Sequence, residues 1–113
     1  MSTHDYLKYL PLSEATYYIM VALNEPLHGY ALMQKVEVMS EGTVVIGPGT
    51  LYGAFATLEK QGLIVMVKEE ARRKSYALTD RGRDVLAEQL RRLNIMVRSG
   101  NETATFLKKE NGV

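Results

Sequence analysis

The spacing of apolar residues predicts three helices in the first part of the chain. The first begins at the N-cap residue Ser13 and runs to about Asn24. The second opens at His28-Gly29 and runs to about Ser40, where Glu41-Gly42 ends it. The third, called the Pro48 helix below, carries Leu51, Phe55 and Leu58 at intervals of four and three residues and ends near Gln61. Each helix therefore has one apolar side that can face a shared core.

The pattern changes to that of strands at two places. Residues 43–46 are β-branched and predict a short strand ahead of the Pro48 helix. Residues 63–68 and 72–78 predict two strands around a polar turn at 69–71, which makes a hairpin with three cations at its tip. Residues 1–9 are polar and predict a frayed end, although Tyr6, Leu7 and Leu10 could pack against the rest of the chain.

A long last helix is predicted from Asp80, with Thr79 as its cap. Gly100-Asn101 interrupts its pattern, and residues 103–109 resume it briefly. Its apolar residues form a heptad-like seam. Because the other elements already have apolar sides of their own, we expect this seam to pair with a second copy of the chain. The first helix, apolar nearly all round, also indicates a partner chain, and the predicted dimer-interface residues are Ile19, Leu86, Leu90, Leu93 and Val97.

Three helices followed by a hairpin make a winged helix-turn-helix. The predicted fold class is mainly α with a small β-hairpin (α+β), extended by a long C-terminal dimerisation helix. Residues 1–79 would form the winged unit and residues 80–113 the dimerisation helix and tail, within a single compact domain.

The exposed side of the Pro48 helix is small or hydroxylated. Pro48 suits a first helical position, where its missing N–H costs nothing. A helix with a bare surface and free N-terminal amides suits close approach to a phosphate backbone. The alternative is an amphipathic helix whose small residues allow tight packing on another helix. The surface residues predicted to contact DNA are Gly49, Thr50, Tyr52, Gly53, Thr57 and Lys60.

Composition and charge narrow the function classes. The 113 residues include no cysteine, and the longest apolar run is too short to cross a membrane, so a cytoplasmic protein is expected. His4 and His28 belong to no obvious set with a carboxylate or nucleophile, so no catalytic residue, metal site, cofactor or enzyme activity is predicted. The net charge is only +1, but residues 48–98 hold ten Lys/Arg against six Asp/Glu. The cations Arg72, Arg73 and Lys74 are predicted to contact phosphates.

Three blocks of sequence resemble the PadR family of bacterial transcriptional regulators, in its short type with one C-terminal helix. The blocks are residues 27–32, residues 49–52 together with 58–64, and residues 72–82. The resemblance implies a homodimeric winged helix-turn-helix repressor, with the first and last helices building the dimer. Its expected partner is a palindromic operator in double-stranded DNA. It places Gly49, Thr50 and Tyr52 on the recognition helix and the three cations on the wing.

The chain departs from the family pattern on the recognition helix, where Gly53, Ala54 and Thr57 replace bulkier residues. It also lacks the tryptophan with which some relatives hold flat ligands at the dimer centre, so the resemblance implies no ligand there. Release by a small-molecule effector stays open. The rival hypothesis is a winged-helix module that binds protein rather than DNA, which the near-neutral charge favours.

Overall fold

The computed structural model describes residues 3–104 and Leu107, with side chains from Tyr6 onward. A 3-10 helix, Thr3–Tyr9, precedes all other elements. The predicted resumption of helix over residues 103–109 falls largely outside the described residues. The remaining elements are, in chain order, α1 (Glu14–Ala22), β1 (Leu27–His28), α2 (Gly29–Met39), α3 (Pro48–Lys60), β2 (Ile64–Glu70), β3 (Arg73–Leu78) and α4 (Asp80–Thr103).

Side-chain caps fix the starts of two helices as the sequence predicts. The Ser13 hydroxyl accepts a hydrogen bond from the Thr16 amide at 3.1 Å at the start of α1. The Thr79 hydroxyl accepts one from the Gly82 amide at 3.0 Å at the start of α4. Each bond satisfies a first-turn N–H that has no partner inside its helix. The Pro48 helix is α3, and it begins where Pro48 predicts.

The predicted strand at residues 43–46 is wrong. This segment is irregular, and the backbone of Val44 is held by the Ser40 side chain, which accepts from the Val44 amide at 3.0 Å and donates to its carbonyl at 3.1 Å. Ile46 turns into the core and Val45 faces outward. The β-branched residues therefore form an ordered connection, because no neighbouring strand lies alongside to pair with them.

The short strand lies instead between the first two helices. Leu27 and His28 of β1 pair antiparallel with Tyr76 and Ser75 of β3, which gives the sheet order β1–β3–β2. The hairpin of β2 and β3 is the predicted wing. Its turn is tighter than expected: Ala71 and Arg72 take positive φ angles of 49° and 69°, and Arg73 already belongs to β3. The wing is thereby tied to the start of α2.

The core joins all the helices to the base of the sheet. Its fully enclosed side chains include Ile19 and Met20 of α1, Leu32 of α2, Leu51 of α3 and Val85 of α4. Enclosing such side chains contributes roughly 1.5–3 kcal/mol each. Ile19 is entirely buried inside its own chain, so its predicted place at the dimer interface is wrong.

The described part of the N-terminal segment, Thr3–Tyr9, is not frayed, and Tyr6 packs on the core as the sequence allows. Tyr6 is buried, and its hydroxyl donates a hydrogen bond to Asp84 of α4 at 2.7 Å. The Leu12 amide donates to the buried side chain of Gln89, also in α4, at 2.6 Å. These two contacts hold the segment ahead of α1 against the first half of α4.

Helix α4 continues through Gly100 and Asn101 to Thr103, so the predicted interruption there is wrong. A glycine in a helix costs only about 1 kcal/mol relative to alanine, which a long helix can carry. Its first half packs on the core, where Leu86 is partly buried. Its second half extends beyond the core with Leu90, Met96 and Val97 exposed by 47%, 63% and 60%.

Candidate nucleic-acid interface

Helix α3 divides sharply into a buried and an exposed side. Leu51, Phe55 and Leu58 are buried in the core. All six residues of α3 predicted to contact DNA are exposed: Gly49, Thr50, Tyr52, Gly53, Thr57 and Lys60. The first turn holds no acidic residue, and the cap residue Gly47 offers no side-chain hydrogen bond, so the first amides of the helix point to the outside.

The glycines of α3 are not explained by packing inside the chain. A Cβ built on Gly49 or on Gly53 would meet no other atom within 4 Å. The alternative of small residues for tight packing on another helix of the chain is therefore wrong. A helical glycine nevertheless costs roughly 0.5–1 kcal/mol relative to alanine. Two open glycines on one side of α3 form a low surface that an external partner can approach closely.

The two edges of this surface face different neighbours. Thr57 and Gly53 border a groove beside Tyr9 and Ser13 of the N-terminal segment. Tyr52 lies on the opposite edge, towards the wing, and its ring contacts that of Phe55 with centroids 6.1 Å apart. The exposed carboxylate of Glu59 lies on the Tyr52 edge, two helical turns further on. The predicted surface residues therefore span two flanks rather than one site.

A cavity of about 450 Å³, called the notch below, opens between α3 and the wing. It brings Tyr52 together with all three predicted wing cations, whereas Gly53, Thr57 and Lys60 do not line it. Its lining residues are His28, Gly29, Tyr30, Tyr52, Arg72, Arg73, Lys74 and Tyr76. Four of these, His28, Gly29, Tyr30 and Tyr76, were not predicted as site residues. The pairing of β1 with β3 brings them together. The sequence predicts the short strand at residues 43–46 instead, so this pairing could not be foreseen.

The wing cations carry charge that no acidic partner neutralises. Arg72, Arg73 and Lys74 are exposed, and none makes an ion pair with any residue that the structure describes. The facing strand holds Glu69 and Glu70, in register with Lys74 and Arg73, but Glu70 pairs with Lys68 at 3.3 Å. The three cations are free to meet an anionic surface.

The base of the notch is aromatic. Tyr76 is 9% exposed and packs on Phe55, with ring centroids 4.5 Å apart. Burial raises the pKa of its hydroxyl, and the carboxylates of Glu59 and Glu69 raise that pKa further. Since tyrosine ordinarily titrates near pH 10, a raised pKa keeps the hydroxyl protonated and able to donate a hydrogen bond at neutral pH.

Neither a metal-binding cluster nor a membrane-spanning helix is found among the residues that the structure describes. Across residues 3–104 and Leu107, no group of three or more His, Asp or Glu side chains could hold a metal ion. No helix within these residues combines the length and apolarity needed to cross a bilayer.

The winged helix-turn-helix with a long C-terminal helix defines a class of DNA-binding transcription regulators. The sequence of residues 19–88 matches the transcriptional regulator PadR-like family, and the chain belongs to this family. It is 36% identical over 61 residues to the transcriptional regulator YqjI of Escherichia coli, covering 54% of this chain and 30% of that protein. The chain spans less than a third of the length of the curated relatives it matches.

Solved structures of transcriptional regulators share the fold. A transcriptional regulator from Clostridium thermocellum superposes with a TM-score of 0.64 at 25% identity, covering 80% of this chain and 91% of the other. A PadR family transcription regulator from Clostridium difficile superposes with a TM-score of 0.68 at 22% identity, covering 80% of this chain and 97% of the other. The predicted family and fold class are confirmed.

Proposed function

We propose that this protein is a homodimeric regulator that binds a palindromic operator in double-stranded DNA and represses transcription. Helix α3 lies in the major groove of each half-site, and the wing contacts the flanking phosphates. The observation that carries this proposal is the open, glycine-lined surface of α3 beside three unneutralised cations. Such a regulator works where the genome is, in the cytoplasm.

The exposed surface of α3 carries few long side chains, so DNA can come close to the backbone of the helix. Only Lys60 carries a charge among the six predicted surface residues. Thr50 and Tyr52 can reach base edges or sugars, and the free first amides can reach a phosphate. With few donors for base edges, specificity leans on these contacts together with the shape of the DNA.

The exposed second half of α4 supports the dimer. Leu90, Met96 and Val97 are exposed, and Leu93 is half-buried, on the part of α4 that projects from the core. Each such side chain contributes roughly 1.5–3 kcal/mol when fully buried. Pairing with a second copy would bury these residues of both chains. It would also set the two α3 helices about one DNA turn, roughly 34 Å, apart. Residues 80–113 would thus act as the dimerisation unit and residues 1–79 as the reading unit.

Selection from a random duplex library tests the function directly. The protein is incubated with the library at physiological salt, and bound sequences are recovered and read. We expect an enriched palindrome whose half-sites lie about 10 base pairs apart. Recovery of no enriched sequence, with affinity for duplex DNA that does not change with salt, would favour the protein-interaction module instead. Adding candidate small molecules to the operator complex would then reveal an effector by release of the DNA.

The role of the wing is tested by Arg73→Ala. We expect affinity for the operator and for random duplex to fall together, by about three- to tenfold, because a phosphate contact carries no sequence information. The slope of log affinity against log salt should become shallower by about one. Arg98→Ala, which removes an exposed arginine of α4, is the matched control. An unchanged slope in Arg73→Ala would exclude a phosphate contact at this position.

A further inference from the structure

The notch contains two tyrosine hydroxyls that can each donate a hydrogen bond. Neither Tyr52 nor Tyr76 makes a side-chain hydrogen bond to any residue that the structure describes. No enclosed side-chain nitrogen or oxygen atom among the described residues lacks a partner, so both hydroxyls are open to the cavity rather than sealed inside the protein. Both hydroxyls line the same cavity as the three wing cations. A negatively charged acceptor in the notch would therefore meet hydroxyl donors and three cations together.

Gly29 determines where the Tyr52 hydroxyl lies. A Cβ built on Gly29 would be only 2.6 Å from the Tyr52 hydroxyl oxygen and 3.1 Å from Leu51. The bare Cα at the start of α2 thus makes room for the end of the tyrosine side chain. Any larger residue at position 29 must push the hydroxyl away, and the flexible tyrosine can yield without unfolding the chain.

The start of α2 adds donors of its own. His28 caps this helix without a side-chain hydrogen bond, and its first turn carries no acidic residue. The first amides of an 11-residue helix are therefore left without side-chain partners beside the notch. They have the polarity that favours an anion.

We infer that the notch seats one phosphate group of the DNA backbone, with Tyr52 donating a hydrogen bond to it and Gly29 acting as the positioning residue for that hydroxyl. This inference rests on the proposed function. It assigns Tyr52 to the backbone rather than to base reading. It also gives a role to Gly29, which the wing cations alone would not require.

The charges around the notch favour a phosphate over a base edge. Arg72, Arg73 and Lys74 supply three positive charges, while Glu59 and Glu69 lie near enough to affect the Tyr76 hydroxyl. The cations exceed the carboxylates by one, so a single phosphate charge is balanced. The open strip of Gly49 and Gly53 lies outside the notch and stays available for the bases.

Two variants and their combination test the inference. Affinities of Tyr52→Phe, Gly29→Ala and the double variant are measured for the selected operator and for random duplex, over a range of salt. We expect Tyr52→Phe to lose about tenfold for both duplexes, as when a hydrogen bond to a charged group is removed. The salt slope should not change, because the hydroxyl is neutral.

The double variant separates positioning from a general structural effect. If Gly29 acts through the Tyr52 hydroxyl, Gly29→Ala loses affinity by itself but adds no further loss to Tyr52→Phe. Tyr17→Phe, which removes a hydroxyl from α1, is the matched control and should bind as the wild type does. Additive losses would overturn the positioning role. A loss confined to the operator, or no loss from Tyr52→Phe, would overturn the phosphate seat.

A titration with inorganic phosphate tests the phosphate seat independently of DNA binding, so failure of the seat can be told from failure of the proposed function. At constant ionic strength, we expect saturable NMR shifts at the amides of Gly29 and Tyr52 in the wild type that disappear in Tyr52→Phe. Uniform, non-saturating shifts would contradict the seat. Failure of the wild type to bind any duplex would overturn the proposed function, and saturable shifts would then assign the notch to a free phosphate-bearing molecule instead of DNA.

Discussion

Gly53 of α3 and Gly82 of α4 both lie within a regular helix, but their surroundings are opposite. A Cβ on Gly82 of α4 would lie 2.0 Å from the carbonyl oxygen of Leu63, so the chain itself requires the glycine. A Cβ on Gly53 of α3 would meet nothing within 4 Å. Gly82 serves the fold, whereas Gly53 costs stability without any return inside the chain, and its place on the exposed side of α3 beside the wing suits a partner outside the chain.

The exposed surfaces of the two helices differ in the same way. Beyond the core, α4 presents large apolar side chains such as Leu90 and Val97. The exposed side of α3 presents glycine, hydroxyl groups and one lysine. Apolar surface gains by meeting apolar surface, while a low polar surface suits a hydrated, charged partner. One chain thus carries two exposed surfaces that suit different partners.

The largest effect is expected from Leu90→Glu in α4. A charge in the dimer seam of both chains should cost about 4 kcal/mol per dimer, or roughly a thousandfold in the dimer dissociation constant. Operator binding should be lost with the dimer. Sedimentation velocity and duplex titrations measure the two effects.

Ile95→Glu is the control for this charge. Ile95 is exposed on α4 and lies about 140° around the helix from Leu90, so it points away from the seam. We expect this variant to remain dimeric. If Leu90→Glu stayed dimeric and bound the operator, the proposed seam would be contradicted. The apolar surface of α4 would then differ from that of α3 in composition alone.

Gly82→Ala should destabilise the fold by about 3 kcal/mol, because the added methyl group collides with backbone that cannot move away cheaply. Urea denaturation measures the loss. If Gly82→Ala were as stable as the wild type, the close approach of α4 to Leu63 would not be a constraint, and the distinction between the two kinds of glycine would fail.

Gly53→Ala should do the reverse. We expect the free energy of unfolding to rise by about 0.5–1 kcal/mol, since alanine is the better helix former and meets no obstacle. Operator affinity should fall severalfold because the methyl group holds the DNA away. Gly100→Ala in α4, equally unobstructed, should gain similar stability and keep full affinity. If Gly53→Ala kept full affinity for the operator, close approach of DNA would not explain the glycine at this position.

The smallest effect concerns an ion cluster on α4. Arg91 donates to Glu88 at 2.9 and 2.7 Å, and Arg92 lies 3.4 Å away, which lowers the pKa of Glu88 from 4.5 to about 2. A lowered pKa in the folded state contributes stability above pH 4.5 that is lost as the pH falls towards 2. Glu88→Gln should therefore differ from the wild type at pH 7 and converge with it near pH 2, as measured by thermal unfolding. A constant difference across this range would contradict the ion pairing.

The local elements follow from residues that act on their own neighbourhood. Ser13 and Thr79 cap helices because their hydroxyls reach amides three residues away. Pro48 starts α3, and alternation in β3 sends Tyr76 and Leu78 inward. These predictions hold because local hydrogen bonding and periodicity decide them. The family resemblance likewise depended only on residues and their spacing.

Long-range contacts decided what the sequence could not. β-branched residues at 43–46 predict a strand, but a strand needs a neighbour, and β3 pairs with Leu27 and His28 instead. Ile19 suits an interface by its position on an apolar helix, yet the folded chain encloses it completely. The notch exists only because β1, α2, α3 and the wing meet there.

The sequence by itself determined the winged fold, the position of the Pro48 helix and the cations of the wing, because periodicity, caps and charge runs are local properties of a chain. The tertiary structure alone decided that Gly53 is open and Gly82 enclosed, and that Gly29 makes room for Tyr52. Identical residues in helices have opposite meanings because the atoms around them come from distant parts of the chain.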